Sequence, residues 1–571
     1  MKKLVVWVIV AVFAGLCMGS SCEENDKTDD PGDAGSSGDS DADSDGDADS
    51  DTDTDSDTDA DADLDTDSDT DADGDSNTDA DTDTDTDTDT DTDSDSDTNP
   101  DPTTPPASLS IVYDAVVDSV TLGLEIQAST MSGDGSTLGF VTRDGSTGAR
   151  QMCTIKVDGT GQSCAAQPAE PVGYFTSLAI SQDGSRLFGN IQHGPEKTVH
   201  KLEGGAVTTF DFGGLGLGEM AAYPIRTTAD GGTLFAQFDS GDIWSIGHDG
   251  AGAQNIVDTE SVTIAGHTAY SLSGEWDVSD DGATVVFGTA GYSDGGFKAY
   301  TEIFVSKGGV VTQLTTDGET KVKAYYAISG DGSKVAFLSY DAQTTSNYKI
   351  EVMNSDGTGR TALVDTEGHN FSGISMDATG AMLIYADMYN RGRLVYTDGM
   401  EAHALFPDAI DIAISRYPVA SDDGERVFFM WDGGDEYLYV GYINDTGAVS
   451  GAPIIESLIF DQAFMPKDDA AAKVAFQAAI SDADGLADIV QVAPDLYETQ
   501  DRAPVQYQSG QINDEGNDPD TTADDGTWSA YLSPGIDVAA CDAVTVRISA
   551  RDDSRTVSFA DFEFGIGAPA F

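Results

Sequence analysis

Seven aspartates near the end of this 571-residue chain have the type and spacing to hold a metal ion. Asp482, Asp484 and Asp488 stand at i, i+2 and i+6, so a single loop can aim three hard oxygen donors at one divalent cation. Asp514, Asp518, Asp520 and Asp524 form a second acidic stretch that could approach the first. Calcium is the ion such donors suit; the alternative is a pair of solvated acidic turns. Other chemistry finds fewer candidates. His193, His200, His248, His267, His369 and His403 include no pair at metal-ligand spacing, and no His-Glu-x-x-His occurs. Most of them read as turn or surface residues. No Gly-x-x-x-x-Gly-Lys loop is present to cradle a phosphate. Trp244, Trp276 and Trp431 read as strand packing rather than sugar platforms. No catalytic residue is assigned.

The cysteines point to export. Cys153 and Cys164 flank Asp158-Gly159, a pair suited to a tight hairpin turn. A hairpin turning there sets the two cysteines opposite one another, where an oxidising exterior lets them bond. Cys541 is left without a partner and reads as buried. Lys2 and Lys3 precede the apolar run Leu4 to Leu16, which is too short to span a bilayer stably. Gly19, Ser20 and Ser21 then lead into Cys22. This arrangement resembles the bacterial lipobox, with Gly19 where leucine is usual. The resemblance implies that residues 1–21 are a signal peptide and that Cys22 carries a lipid anchor in the cell envelope, at the outer membrane or cell surface.

The formal net charge is −76, from 103 acidic and 27 basic residues. From Glu23 to Asp101 aspartate alternates with Thr, Ser and Ala, and Lys27 is the one basic residue. Such a segment cannot build a core and extends by self-repulsion, so residues 22–106 are expected to be a disordered tether. Asp41 to Gly46 has the lettering of a calcium loop but lacks the distal glutamate. The acidity of the whole chain repels phosphate backbones and anionic headgroups, which excludes nucleic acid as a partner and leaves a lipid anchor as the only contact with a membrane.

Beyond residue 106 a repeat decides the fold. Its first half is Ser-x-Asp-Gly followed by an apolar strand, as in Ser132-Gly-Asp-Gly-Ser-Thr-Leu-Gly-Phe and Ser329-Gly-Asp-Gly-Ser-Lys-Val-Ala-Phe. The aspartates at 134, 183, 230, 281, 331, 377 and 423 recur 46 to 51 residues apart, the copy at Ser375-Met-Asp377 being looser. The second half is another hairpin, as in Ile350-Glu-Val-Met-Asn-Ser-Asp-Gly. Two hairpins per unit are four strands, the content of one propeller blade. The expectation is all-β: a seven-bladed β-propeller over 107–452, with the segment Ser108 to Ser129 adding a closing strand. The paired pattern resembles the WD40-like repeats of TolB-type periplasmic propellers over roughly residues 130–450. That resemblance implies a propeller that binds other molecules, often proteins, and does not imply one activity.

Residues 453–571 read as a small β-sandwich, with strands near Val474 to Ile480, Ile489 to Val492, Trp528 to Leu532, Val544 to Ala550 and Val557 to Phe564. Ala478-Ala-Ile-Ser-Asp-Ala-Asp-Gly and Asp524-Asp-Gly-Thr-Trp-Ser-Ala resemble immunoglobulin-like modules of bacterial surface proteins. The segment is too short for the catalytic domain of a propeller-bearing hydrolase. The leading expectation is therefore a non-enzymatic binding or scaffold module for a protein or glycan at the propeller face. Two alternatives stand beside it: a lyase-like carbohydrate enzyme built in the propeller channel, and a structural coat component linked by calcium.

Overall fold

The computed structural model describes residues 107–567 apart from short internal stretches, of which 211–223, 406–417, 499–506 and 535–542 are the longest. The expected signal peptide, Cys22 and the tether lie outside the described residues, as do Asp518, Asp520, Asp524 and Cys541.

Each repeat folds as the turn chemistry demands. In the first, strands Glu125–Met131 and Thr137–Arg143 are joined by the Ser132 turn, and Arg150–Lys156 and Ser163–Ala166 complete a four-stranded antiparallel sheet. Gly135 closes the turn at φ 65°, a backbone conformation that costs glycine little. Cys153 and Cys164 face each other on the third and fourth strands and are joined by a disulfide. Among the described residues this is the first of seven such sheets in chain order. The fifth, for example, is Lys321–Ile328, Lys334–Asp341, Tyr348–Asn354 and Thr361–Thr366. The fourth is widened by short extra strands to six. The seventh takes Val419–Ala420, Arg426–Asp432 and Glu436–Ile443, with Ala107–Asp118 as its outer strand. We call these blades 1 to 7.

The blades close on one another. The first strand of each touches the first strand of the next, and blade 7 returns to blade 1. An apolar cluster fills every joint. Ala128, Val141 and Met152 of blade 1 meet Ile180, Leu187 and Leu202 of blade 2. Phe428, Met430 and Val440 of blade 7 meet Ile126, Leu138 and Phe140 of blade 1. A ring of four-stranded sheets packed face to face is a β-propeller. The middle strands do not show the alternating burial of a half-exposed strand. Thr137–Arg143 and Lys334–Asp341 are buried almost throughout. A neighbouring blade covers each face, so a middle strand has no solvent side to keep polar. Outer strands such as Val310–Gln313 are largely exposed.

The C-terminal segment is a two-sheet sandwich. One sheet is Ile454–Phe460, Val474–Ser481, Thr527–Pro534 and Tyr507–Ser509; the other holds Ile489–Glu498, Ala543–Asp552 and Val557–Gly567. Leu458, Phe460 and Phe476 from the first sheet pack on Leu496, Val546, Ile548 and Phe562 from the second. Strand Ile454–Phe460 was not among those read from the sequence. The second sheet does not end at its own edge: Val557–Gly567 pairs with Ala107–Asp118, which also pairs with Glu436–Ile443. Among the described residues the one α-helix is a single turn, Ser119–Leu122, and no helix is long and apolar enough to cross a membrane.

Candidate functional site

One mouth of the propeller channel is built by the Ser-x-Asp-Gly turns. Within each turn the Ser or Thr hydroxyl donates to the aspartate two residues on, at 2.5–2.7 Å, and that carboxylate accepts the backbone N–H of a further residue. These bonds hold Asp183 and Asp281 below the usual carboxylate range, chiefly through the N–H groups of Ser185 and Ala283 and then through the hydroxyls. The repeated aspartates are thus held in the turns. Blade 6 keeps the pattern with its partners exchanged. Asp377 stands in the serine position and Thr379 in the aspartate position: Thr379 Oγ1 donates to Asp377 Oδ2 at 2.7 Å, and Met382 N donates to Asp377 Oδ1 at 2.8 Å. The sequence alignment of that copy on Ser375 is therefore two residues out of register, because an aspartate can replace the serine when a threonine replaces the aspartate.

Backbone hydrogen bonds tie the turns into a circle. Asp134 N donates to Gln182 O, Gln182 N to Ala229 O, Ala229 N to Asp280 O and Asp280 N to Gly330 O; Asp331 N then donates to Ala378 O, Ala378 N to Asp422 O and Asp422 N back to Gly133 O, all at 2.7–3.0 Å. The variable x residues therefore face the axis. Two of them are acidic. Any side chain at Gly133 would collide with the Asp422 carboxylate, and any at Gly330 with that of Asp280. Gln182 Nε2 donates to Asp422 Oδ2 at 2.9 Å. Burial raises Asp280 to about 6, and the nearby carboxylates of Asp422, Asp277, Asp281 and Asp331 add to the rise. Burial also raises Asp422, partly offset by the Gln182 bond and reinforced by Asp423, Asp134 and Asp377. Further along the channel wall, burial lifts Glu275 to about 6 while the Tyr325 N–H donates to it. Tyr325 sits at φ 53°, a strained setting for a bulky residue.

The aspartates singled out in the sandwich are only partly brought together. Ligand oxygens of Asp482, Asp484 and Asp488 lie within 4.8 Å of one another in the loop between Val474–Ser481 and Ile489–Glu498. Asp482 Oδ1 accepts the Asp484 N–H at 2.9 Å. Burial raises Asp482, and Asp488 and Asp552 reinforce the rise. Asp514 is occupied elsewhere, accepting Asp525 N at 3.2 Å and Gly526 N at 2.8 Å to hold the next turn.

Several buried polar groups carry no signal in the sequence. Lys323, whose side chain is wholly buried, lies 3.2 Å from Glu302 and 2.5 Å from Asp317; Arg360 bridges Asp317 and Glu351. His200 and His403 are buried, against the surface role read for most histidines. His200 meets Thr198 and Thr209 within its own blade and His403 approaches Asp561 of the sandwich, placements that single-sequence periodicity does not reveal. Gly291-Tyr292-Ser293-Asp294-Gly295 has the lettering of a nucleophile elbow, but Gly291 to Ser293 end strand Thr284–Ser293 and pair with Ala299 to Phe297. A serine elbow needs a strand-to-helix turn, whereas Ser293 lies on a strand paired antiparallel to Phe297–Ala299.

No protein-family model matches the chain, and no curated protein matches it. Among solved structures it is similar to Kuenenia stuttgartiensis hydrazine synthase, with 15% identity and a TM-score of 0.35 over 53% of this chain and 92% of that one. It is similar to TolB from Acinetobacter baumannii, with 16% identity and a TM-score of 0.32 over 57% and 66%. Oligogalacturonate lyase from Vibrio parahaemolyticus shares 12% identity and a TM-score of 0.31 over 56% and 98%. These are likenesses of fold and say nothing about what the chain binds.

Proposed function

We propose that the chain is a lipid-anchored envelope protein that displays its propeller on an acidic tether and binds a protein or glycan at the mouth opposite the turn circle. The sandwich is read as an immunoglobulin-like module beside it. The observation that carries this reading is the turn circle itself. Its backbone groups are satisfied by one another, so that mouth is a set of short, rigid turns. In an antiparallel sheet successive hairpins alternate ends. The loops such as 342–347 and the inter-blade connections such as 314–320 therefore gather at the other mouth, where longer exposed segments suit recognition.

The test is binding of purified full chain to a panel of envelope glycans and surface proteins. Replacing 342–345 with Gly-Ser residues should weaken any binding found, while Gln182→Ala should not. Loss with Gln182→Ala alone would place recognition at the turn circle, and cleavage of a bound glycan would favour a carbohydrate enzyme. Separately, Cys22→Ser should move the protein out of the membrane fraction.

A second reading concerns calcium. Asp482 Oδ2 and Asp488 Oδ1 are buried oxygens without a hydrogen-bond partner among the described residues. A hard divalent cation between Asp482, Asp484 and Asp488 would satisfy both and relieve their repulsion.

A further inference from the structure

We infer that Ala107–Asp118 is a strap that closes the propeller and the sandwich together, so that neither opens without the other. On one side its residues Ile111 to Asp118 pair with Ile443 to Tyr437 and supply the outer strand of blade 7. On the other, Ala107 to Tyr113 pair with Phe562 to Val557 and cover what would otherwise be a bare sheet edge of the sandwich. Residues 111 to 113 are paired on both sides at once.

The side chains repeat the arrangement. Tyr113 is fully buried, and its hydroxyl donates to the Leu405 carbonyl beyond strand Ala402–Ala404 of blade 6. Its ring stands edge-on to Phe429 of blade 7 at 5.4 Å and lies 6.2 Å from Phe559 of the sandwich. Opposite it, Gly441 leaves the space that the ring fills. Leu109, Ile111 and Tyr113 share one apolar cluster with Ile384 and Leu394 of blade 6, Val427 of blade 7 and Val557 and Phe559 of the sandwich. Beside this cluster Arg547 and Asp561, both fully buried, form a two-point ion pair at 2.6 and 2.9 Å. His403 of blade 6 approaches the same carboxylate at 3.5 Å. Arg547 and Asp561 are cross-strand partners within the sandwich, so the ion pair fixes the strand that receives the strap, and His403 is the ring side chain that approaches it.

Removing the strap would strip an edge strand from blade 7, bare the edge of Val557–Gly567 and open the shared cluster in one step. The strap follows directly on residue 106, so on the tethered-display reading any pull from the membrane enters the fold at the strand that locks both parts. The coupling itself does not depend on that reading.

The test is urea unfolding of the full chain carrying 5-fluorotryptophan, with Trp276 reporting the propeller and Trp528 the sandwich, each assigned by its Trp→Phe variant. Both signals should share one midpoint, and Tyr113→Phe should lower both midpoints equally. A Trp528 transition separate from that of Trp276, or a shift of one signal alone, would overturn the strap. If Tyr113→Phe does not fold, hydrogen exchange of the unaltered chain decides. Amides of 109–117, 426–443 and 544–562 should exchange through a common opening, and faster exchange confined to 544–562 would refute the coupling.

Discussion

Gln182 on blade 2 donates to the carboxylate of Asp422 on blade 7 across 2.9 Å, reaching past the turn of blade 1 that separates them. It can do so because blade 1 has glycine at the matching position, Gly133, which leaves the space over the turn clear. That bond holds the Asp422 carboxylate at the turn circle, where Asp280 is the other acidic x residue and both have carboxylates as charged neighbours.

The first prediction is a pH effect with a definite sign. Asp280 has its folded pKa raised to about 6, so its contribution favours the folded state at low pH and is lost as pH rises through that value. Asp280→Asn should stabilise the propeller at pH 7.5, by no more than about 1 kcal/mol once solvent screening is allowed for. It should also flatten the change in Tm between pH 7.5 and 5. Thermal scans of wild type and variant across that range check it; parallel curves would show that the axial carboxylates do not titrate as described.

A second prediction uses the exchanged partners in blade 6. Asp377→Ser or Thr379→Asp alone should destabilise, because each breaks a turn whose buried N–H at Met382 depends on the pair. The double variant restores the Ser-x-Asp-Gly order of the other turns and should recover much of the loss. A double-mutant cycle by chemical denaturation should show coupling of about 0.5–3 kcal/mol. Additive losses would mean the two residues do not act as a unit.

The third concerns Lys323. Its ammonium is enclosed with Glu302 and Asp317, so Lys323→Met leaves the buried Glu302 carboxylate without its cation, while Asp317 keeps Arg360. The expected cost is about 3–5 kcal/mol, read as a lower urea midpoint, and Glu302→Gln in the same chain should return part of it. A change below about 1 kcal/mol would show that water reaches these groups.

Calcium is tested on the full chain, because the sandwich shares its edge with Ala107–Asp118 and should not be cut away from it. Millimolar calcium should raise Tm above its value in chelator, with about 2.7 kcal/mol gained at a hundredfold excess over Kd. Asp484→Asn should remove most of the gain. Equal melting in calcium and chelator would leave the three carboxylates as a solvated loop, and calcium-dependent self-association would point to a coat role instead.

The blades were legible because their signals are local. Ser132, Asp134 and Gly135 make one turn through contacts two to five residues apart, so the chemistry is written in adjacent letters. Asp158-Gly159 likewise places Cys153 beside Cys164 within one hairpin. The loop triad of Asp482, Asp484 and Asp488 could be read for the same reason, whereas Asp514 lies in a loop whose own turn uses the carboxylate.

What the chain alone determined, then, is the strand content, the repeat and the turn chemistry, all set by residues near one another in sequence. Tertiary structure decided which x residues meet at the axis, since Asp280 and Asp422 become neighbours only when the ring closes. It also decided that Ala107–Asp118 lies between Glu436–Ile443 and Val557–Gly567. Strand pairing runs through backbone N–H and C=O groups that every residue but proline carries in full. No letter therefore marks a partner hundreds of residues away, and the choice falls to the ring closure and packing that bring those edges together.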